Sequence, residues 1–331
     1  MQPDRSISRD CATRHGGDGG VVGRRLYDKV QVCKDLKYGN IEVAISPRDL
    51  SMDKAERDTS SAFMSAIHWP LRIGVVMEFV GHGAFGIMTK AGWVPYITVF
   101  GFSEQTAWKL MPVIGTMDIF FFALSVLVMP IPALLIYMSV WGFITALLRP
   151  LAGEGIWESV ERSYNFGMPF CLFYFYYSTK KIRGILRPVK QRGPFCMHEK
   201  HVKMLMKMLK FVMAGMLIGH GALGAFAEKE IYLELYQSIA LDKLGYDLET
   251  IKVFIGYFEI LLGILCLSSN WLYFFVFIFF WKTGTEFLYI LSNVYGKVWE
   301  FNERGRGYVA PLVFVLLLMY SKNFAKPVLL K

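Results

Sequence analysis

The stretch RIGVVMEFVGHGAFGIMTKAGW, residues 72–93, decides the fold. Its centre, GHGAFG at 81–86, returns as GHGALG at 219–224 within KFVMAGMLIGHGALGAF. Each copy sets one histidine, His82 or His220, among glycines in an apolar run. The surroundings explain how a greasy chain carries this motif twice. The chain has 331 residues, of which 54% are hydrophobic and 19% charged. A soluble domain carries about 25% charge. The apolar residues fall in runs of transmembrane length and not in alternating strands. Together these features predict an all-α, polytopic helical membrane protein.

The runs are 70–89, 110–128, 132–148, 165–178, 209–227, 250–268, 271–290 and 308–321. They predict about eight transmembrane helices, arranged as two tandem four-helix bundles. The repeat extends well beyond the glycines. Asp118 in the second run answers Glu259 in the sixth, and WGFIT in the third answers WKTGT in the seventh. ESVERSYNFGMP at 158–169 answers EFNERGRGYVAP at 300–311, aligning Glu161–Arg162 with Glu303–Arg304. The implied organisation is a polar cytoplasmic extension at 1–65, a first unit at 66–178, a basic linker at 179–208 and a second unit at 209–331. Each unit has an even number of spans, so both enter from the same side, and a pseudo-two-fold along the membrane normal is the simplest packing.

Formal net charge is +9. Much of the excess lies at 179–210, where ten Lys and Arg face one acid, Glu199. Topology accounts for it, so nucleic acid is not expected as a partner; the loop and both termini are expected in the cytoplasm, in a multi-pass cell membrane protein. No apolar signal-peptide core precedes residue 60. The five cysteines form no CxxC pair, and no metal site is expected. In MHEKH, His198 and His201 lack further ligands; His15 and His68 show no partner.

His82 and His220 are expected near the bilayer middle, facing the bundle interior. Gly81, Gly83 and Gly86, like Gly219, Gly221 and Gly224, either let another helix come close or leave room for a flat ligand. A buried carboxylate needs a partner, which pairs His82 with Asp118 and His220 with Glu259. Glu78 precedes His82 by four residues, on the same helix face, while Met216 stands in its place in the second half; the first half is therefore expected to keep more chemistry. The candidate catalytic residues are His82, His220, Asp118, Glu259 and Glu78. The candidate cofactor-binding residues are His82, His220, Gly83, Gly221, Arg162 and Arg304. The Glu–Arg pairs either tie helix ends together or grip a headgroup or quinone carbonyl. Arg72 and Lys210, each ten residues before its histidine, read as snorkelling anchors.

These motifs resemble the DoxX/DoxD family of four-helix membrane proteins. The likeness rests on RIGVVMEFVGHGAFG, the acid-bearing second span and the ER-x-x-x-x-x-x-P stretch, over about 65–178 and 205–322. It implies a membrane redox protein, or the membrane subunit of a quinone-linked oxidoreductase. The implied cofactor is a quinone, with haem as second candidate. The implied partners are the lipid bilayer, a lipophilic ligand and a soluble redox subunit at the cytoplasmic face. This chain departs from the usual one-unit form by carrying two units and a polar extension. The other readings are a transporter or permease, and a non-catalytic membrane anchor.

Overall fold

A computed structural model of the chain describes residues 54–324. Expectations for residues 1–53, His15 included, and for the tail 325–331 lie outside the described residues. The fold is all-α. In chain order the helices are α1 (Lys54–Ile87), α2 (Glu104–Val128), α3 (Pro132–Leu151), α4 (Ile156–Glu161) and α5 (Ser163–Ser178). The series then repeats as α6 (Glu199–Phe226), α7 (Leu248–Ser268), α8 (Leu272–Leu291), α9 (Lys297–Glu303) and α10 (Gly305–Phe324). Helices α1, α2, α3, α6, α7 and α8 are the six, among the described residues, long and apolar enough to cross a membrane. The 16 residues of α5 give about 24 Å, short of a hydrocarbon core of about 30 Å.

The two repeats are interleaved. α10 packs on α1, and α5 packs on α6, so the closing helix of each half lies against the opening helix of the other. The short helices cross over too, α4 onto α6 and α9 onto α1. This explains the composition of α5 and α10. Both are apolar on most sides, as a largely buried helix must be. Met168, Leu172, Phe175, Val313, Phe314 and Leu317 are fully buried. The outer helices present large apolar side chains instead, among them Val113 and Phe121 on α2, Phe254 on α7 and Phe280 on α8. Such a surface suits lipid.

The helix starts differ from the sequence reading. α1 begins at Lys54 and α6 at Glu199, about sixteen and ten residues before the expected edges. Their first turns are polar and amphipathic, which a hydropathy run does not register. His82 and His220 therefore lie not in the middle but in the last two turns, five and six residues before Ile87 and Phe226. The loops after α1, α3, α6 and α8 gather at that end, called here the junction end. The basic loop 179–198 lies at the opposite end, where Ala133 N donates to Ile185 O and Val189 N to Pro130 O.

Arg72 is not a snorkelling anchor. It is fully buried, and its guanidinium donates to Val126 O (2.6 Å), Leu127 O (2.5 Å) and Gln191 Oε1 (2.8 Å). These are the free carbonyls at the C-terminus of α2, where a cation offsets the helix dipole. Lys210 does the same for α7 through Leu267 O (3.3 Å). His68 also has a partner, Tyr176 Oη at 2.7 Å.

The glycines set the helix spacing. A Cβ on Gly83 would lie 2.6 Å from Ile119 Cγ1 and 2.7 Å from Gly115 O of α2. Gly221 meets Gly256 and Glu259 of α7 in the same way, while Gly81 and Gly219 lie against the backbones of Glu303 and Glu161. At these glycines the space is taken up by neighbouring helices. Overpacking such a contact costs about 1–3 kcal/mol. Gly83→Leu should lower the thermal midpoint of the detergent-solubilised protein and broaden its size-exclusion peak. Gly92→Ala, where a Cβ meets nothing within 4 Å, should leave both unchanged. An unshifted midpoint in Gly83→Leu would mean that α2 is not held at this glycine.

Candidate functional site

The close approach of α1 to α2 brings His82 Nδ1 to 2.8 Å from Asp118 Oδ2. In the other half, α6 and α7 bring His220 Nδ1 onto Glu259 Oε2. Both pairings were legible in the sequence. Each acid is buried, and a carboxylate on Nδ1 orients the ring and fixes its tautomer. Each histidine also meets an aromatic ring from the segment that follows its helix, Tyr232 lying in a short helix at Glu230–Gln237. His82 packs on Trp93 with centroids 4.3 Å apart, and His220 on Tyr232 at 5.1 Å.

Trp93 and Tyr232 belong to the wall of a polar cavity of about 190 Å³ at the junction end. Both Glu–Arg pairs line it, so the motif residues of the two halves converge there. Arg304 Nη1 donates to Glu161 Oε1 (3.1 Å), joining the halves, and Arg162 Nη1 donates to Glu161 Oε2 (3.0 Å). Burial alone would raise the Glu161 carboxyl, but Arg162 and Arg304 outweigh it and hold the group well below the usual carboxylate range. Two lysine bridges also cross between halves at matching places, Lys90 to Glu300 (2.6 Å) and Lys229 to Glu158. Arg149 closes the rim by pairing with Glu154 and Glu158.

Sequence reading missed Lys90, Lys229, Arg149, Glu158 and Glu300. The signal for the last two was present. Glu158-x-x-Glu161-Arg162 and Glu300-x-x-Glu303-Arg304 form a repeated E-x-x-E-R, one turn of helix that sets both acids on one side. The lysines follow their helices irregularly, so no spacing announced them.

Glu78 lies apart from this group. Its carboxylate pairs with Arg306 of α10 (2.7 Å), and Arg306 donates to Asn165 Oδ1 (2.6 Å) of α5. It is a buried tie between halves. The polar contacts of the two halves also differ. In the second half, Glu259 Oε1 accepts from Trp281 Nε1 (2.9 Å) and faces Lys282 Nζ (3.5 Å). Lys282 pairs with Glu286 (2.8 Å), which faces Arg304 Nε (3.7 Å). A continuous polar chain thus runs from His220 to the cavity. In the first half Gly142 and Ala146 stand where Lys282 and Glu286 do, and among the described residues Asp118 Oδ1 and Trp141 Nε1 form no hydrogen bond. Asp118 also opens a π-helical turn, Asp118–Ala123, in α2. Such turns recur at functional sites.

His198 and His201 serve locally. His198 caps α6, and His201 Nδ1 lies 2.7 Å from Tyr174 Oη. Among the described residues no cluster of three His, Cys, Asp or Glu is placed to hold a metal.

The cavity ion pairs carry a pH signature. Glu161 is depressed in the folded protein, so its contribution is complete above its ordinary value of 4.5 and is lost as pH falls below it. Glu161→Gln leaves Arg162 and Arg304 without their shared acceptor. Breaking a buried pair costs about 3–5 kcal/mol. The variant should melt lower at pH 7 and lose less stability than the parent between pH 5 and about pH 3. Identical acid-unfolding curves would show that Glu161 does not hold the halves together.

The architecture is that of a polytopic helical membrane protein; no family model, no curated protein and no solved structure matches the chain.

Proposed function

We propose that this chain is a membrane redox protein whose junction-end cavity holds the single-ring headgroup of a quinone. The supporting observation is the convergence of both Glu–Arg pairs on one small polar cavity, with the two His–carboxylate pairs packed directly behind its wall residues Trp93 and Tyr232. Quinone reduction and its reverse exchange two electrons and two protons, which is the chemistry this group supplies when bound. Two histidines, each backed by an acid, stand behind the wall, one from each half, as proton-exchanging groups one aromatic ring away from the cavity.

Fit favours the quinone over haem. A cavity of about 190 Å³ has room for a six-membered ring and not for a haem macrocycle, and typical ligand pockets start at about 300 Å³. The glycines beside both histidines meet helix backbone, which removes the remaining place for a haem edge. Arg162 and Arg304 are the donors for a ring oxygen, and Trp93, Tyr232 and Tyr289 supply ring faces. His82 and His220 hold or release a proton through the imidazole while Asp118 and Glu259 stabilise the charged form. With the basic 179–198 loop in the cytoplasm, the cavity faces the opposite side of the membrane.

A short-chain benzoquinone titrated into the full chain in lipid nanodiscs should quench tryptophan fluorescence saturably, since Trp93 lines the cavity. Arg162→Gln, which loses a charge-assisted donor, should weaken binding about tenfold or more. His82→Gln keeps an N–H for Asp118 but cannot exchange a proton. It should retain binding and change the number of protons taken up with it. A parent protein with no saturable quenching, and no quinone in its lipid extract, would end this reading.

A further inference from the structure

The near-symmetry of the cavity fails at one residue. Glu161 and Glu303 occupy equivalent places in the repeat, as do Arg162 and Arg304. Symmetry would pair Arg304 with Glu161 and Arg162 with Glu303. The first pair forms, but Arg162 turns to its neighbour Glu161 instead. Glu161 therefore holds both arginines, and among the described residues the Glu303 carboxylate forms no hydrogen bond or ion pair.

Glu303 is only 8% exposed, and it lines the cavity. Burial by itself would raise its carboxyl, yet Lys90, His82, Arg162 and Arg304 lie near enough to keep it below the ordinary range, so it is an anion at neutral pH. Its backbone is fixed, because Glu303 N and Cα lie against Gly81, next to His82. The tyrosines and Trp93 of the wall leave it facing a confined space. Its oxygens open onto the cavity and accept from no protein group, so hydrogen-bond donors of a ligand can pair with them. An ionised carboxylate only accepts, so the complementary group must donate.

We infer that Glu303 selects a ligand presenting a hydroxyl donor, so that the cavity binds the hydroquinone form in preference to the quinone. This rests on the quinone reading of the cavity. A hydroquinone offers two O–H donors, and the quinone offers only carbonyl oxygens, which face the carboxylate as acceptor against acceptor. The arginines serve either form, so the discrimination falls on Glu303.

The test is a pair of titrations of the full chain in nanodiscs, one with a short-chain benzoquinone and one with its hydroquinone kept reduced under anaerobic conditions. The parent should bind the hydroquinone about tenfold tighter or more, the effect of one charge-assisted hydrogen bond. Glu303→Gln offers an N–H to a carbonyl and should bring the ratio to one or below. Glu303→Asp keeps an acceptor and should keep the sign of the preference. Each variant is compared only where its melting midpoint shows that it folds. Equal affinities in the parent, a preference for the quinone, or a ratio unchanged in Glu303→Gln would overturn the role of Glu303 while leaving the cavity reading intact. Saturable binding of neither form by the parent would overturn both.

Discussion

The backbone of α1 touches that of α2 at Gly83 and Gly86, and the rest of the site depends on that contact. With a side chain there, the helices would stand apart by more than a histidine and an aspartate can span. With glycine, His82 reaches Asp118 directly, and the same geometry at Gly221 and Gly256 brings His220 to Glu259. The outward side of the same motif does a second job. Gly81 and Gly219 admit the short helices α9 and α4 from the opposite halves, and those helices carry the Glu–Arg pairs. One glycine-rich turn therefore contacts its own half on one face and the other half on the next. Small residues at helix contacts are the usual means of close approach in membranes, where lipid provides no hydrophobic drive between helices.

Changes between the halves come in matched sets. Arg306 occupies the place of Tyr164, and the two side chains meet with the guanidinium 4.3 Å from the ring centroid. Residues at equivalent positions that touch must lie near the pseudo-axis. Glu78 pairs with Arg306, whereas α6 has Met216 in place of Glu78 and α5 has Tyr164 in place of Arg306. The acid and its cation are present together in one half and absent together from the other, as the cost of a lone buried charge requires. Lys282 and Glu286 follow the same rule, since α3 carries neither.

Much of this was legible in the residues. The repeat, the two His–acid pairs and the kinship of the Glu–Arg segments follow from spacing, because each lies in a run whose period and offset recur. Four things were not legible. Depth was misjudged because the polar first turns of α1 and α6 fall below any hydropathy threshold. The function of Arg72 was hidden because a cation at a span edge looks the same whether it reaches for water or for the carbonyls of a neighbouring helix. The glycines could mark a slot or a seam, and only the position of the facing backbone separates the two. The convergence of the halves on one cavity is a tertiary fact: it depends on α4 and α9 crossing over, which no local pattern records.

That crossing also gives a reason for carrying both units on one chain. In a symmetric dimer of a single unit, each side chain appears twice in equivalent surroundings, since the interface is isologous. If one glutamate at the axis took two arginines, its twin would have to do the same, and the arginines would not suffice. Fusion lifts that condition. Glu161 can hold Arg162 and Arg304 together and secure the seam, while Glu303, released from that duty, remains an open acceptor beside His82. The polar chain from Glu259 through Lys282 and Glu286 to Arg304 exists on one side only, for the same reason. Structural and ligand-facing roles that a dimer must combine in one residue are here divided between two copies of it.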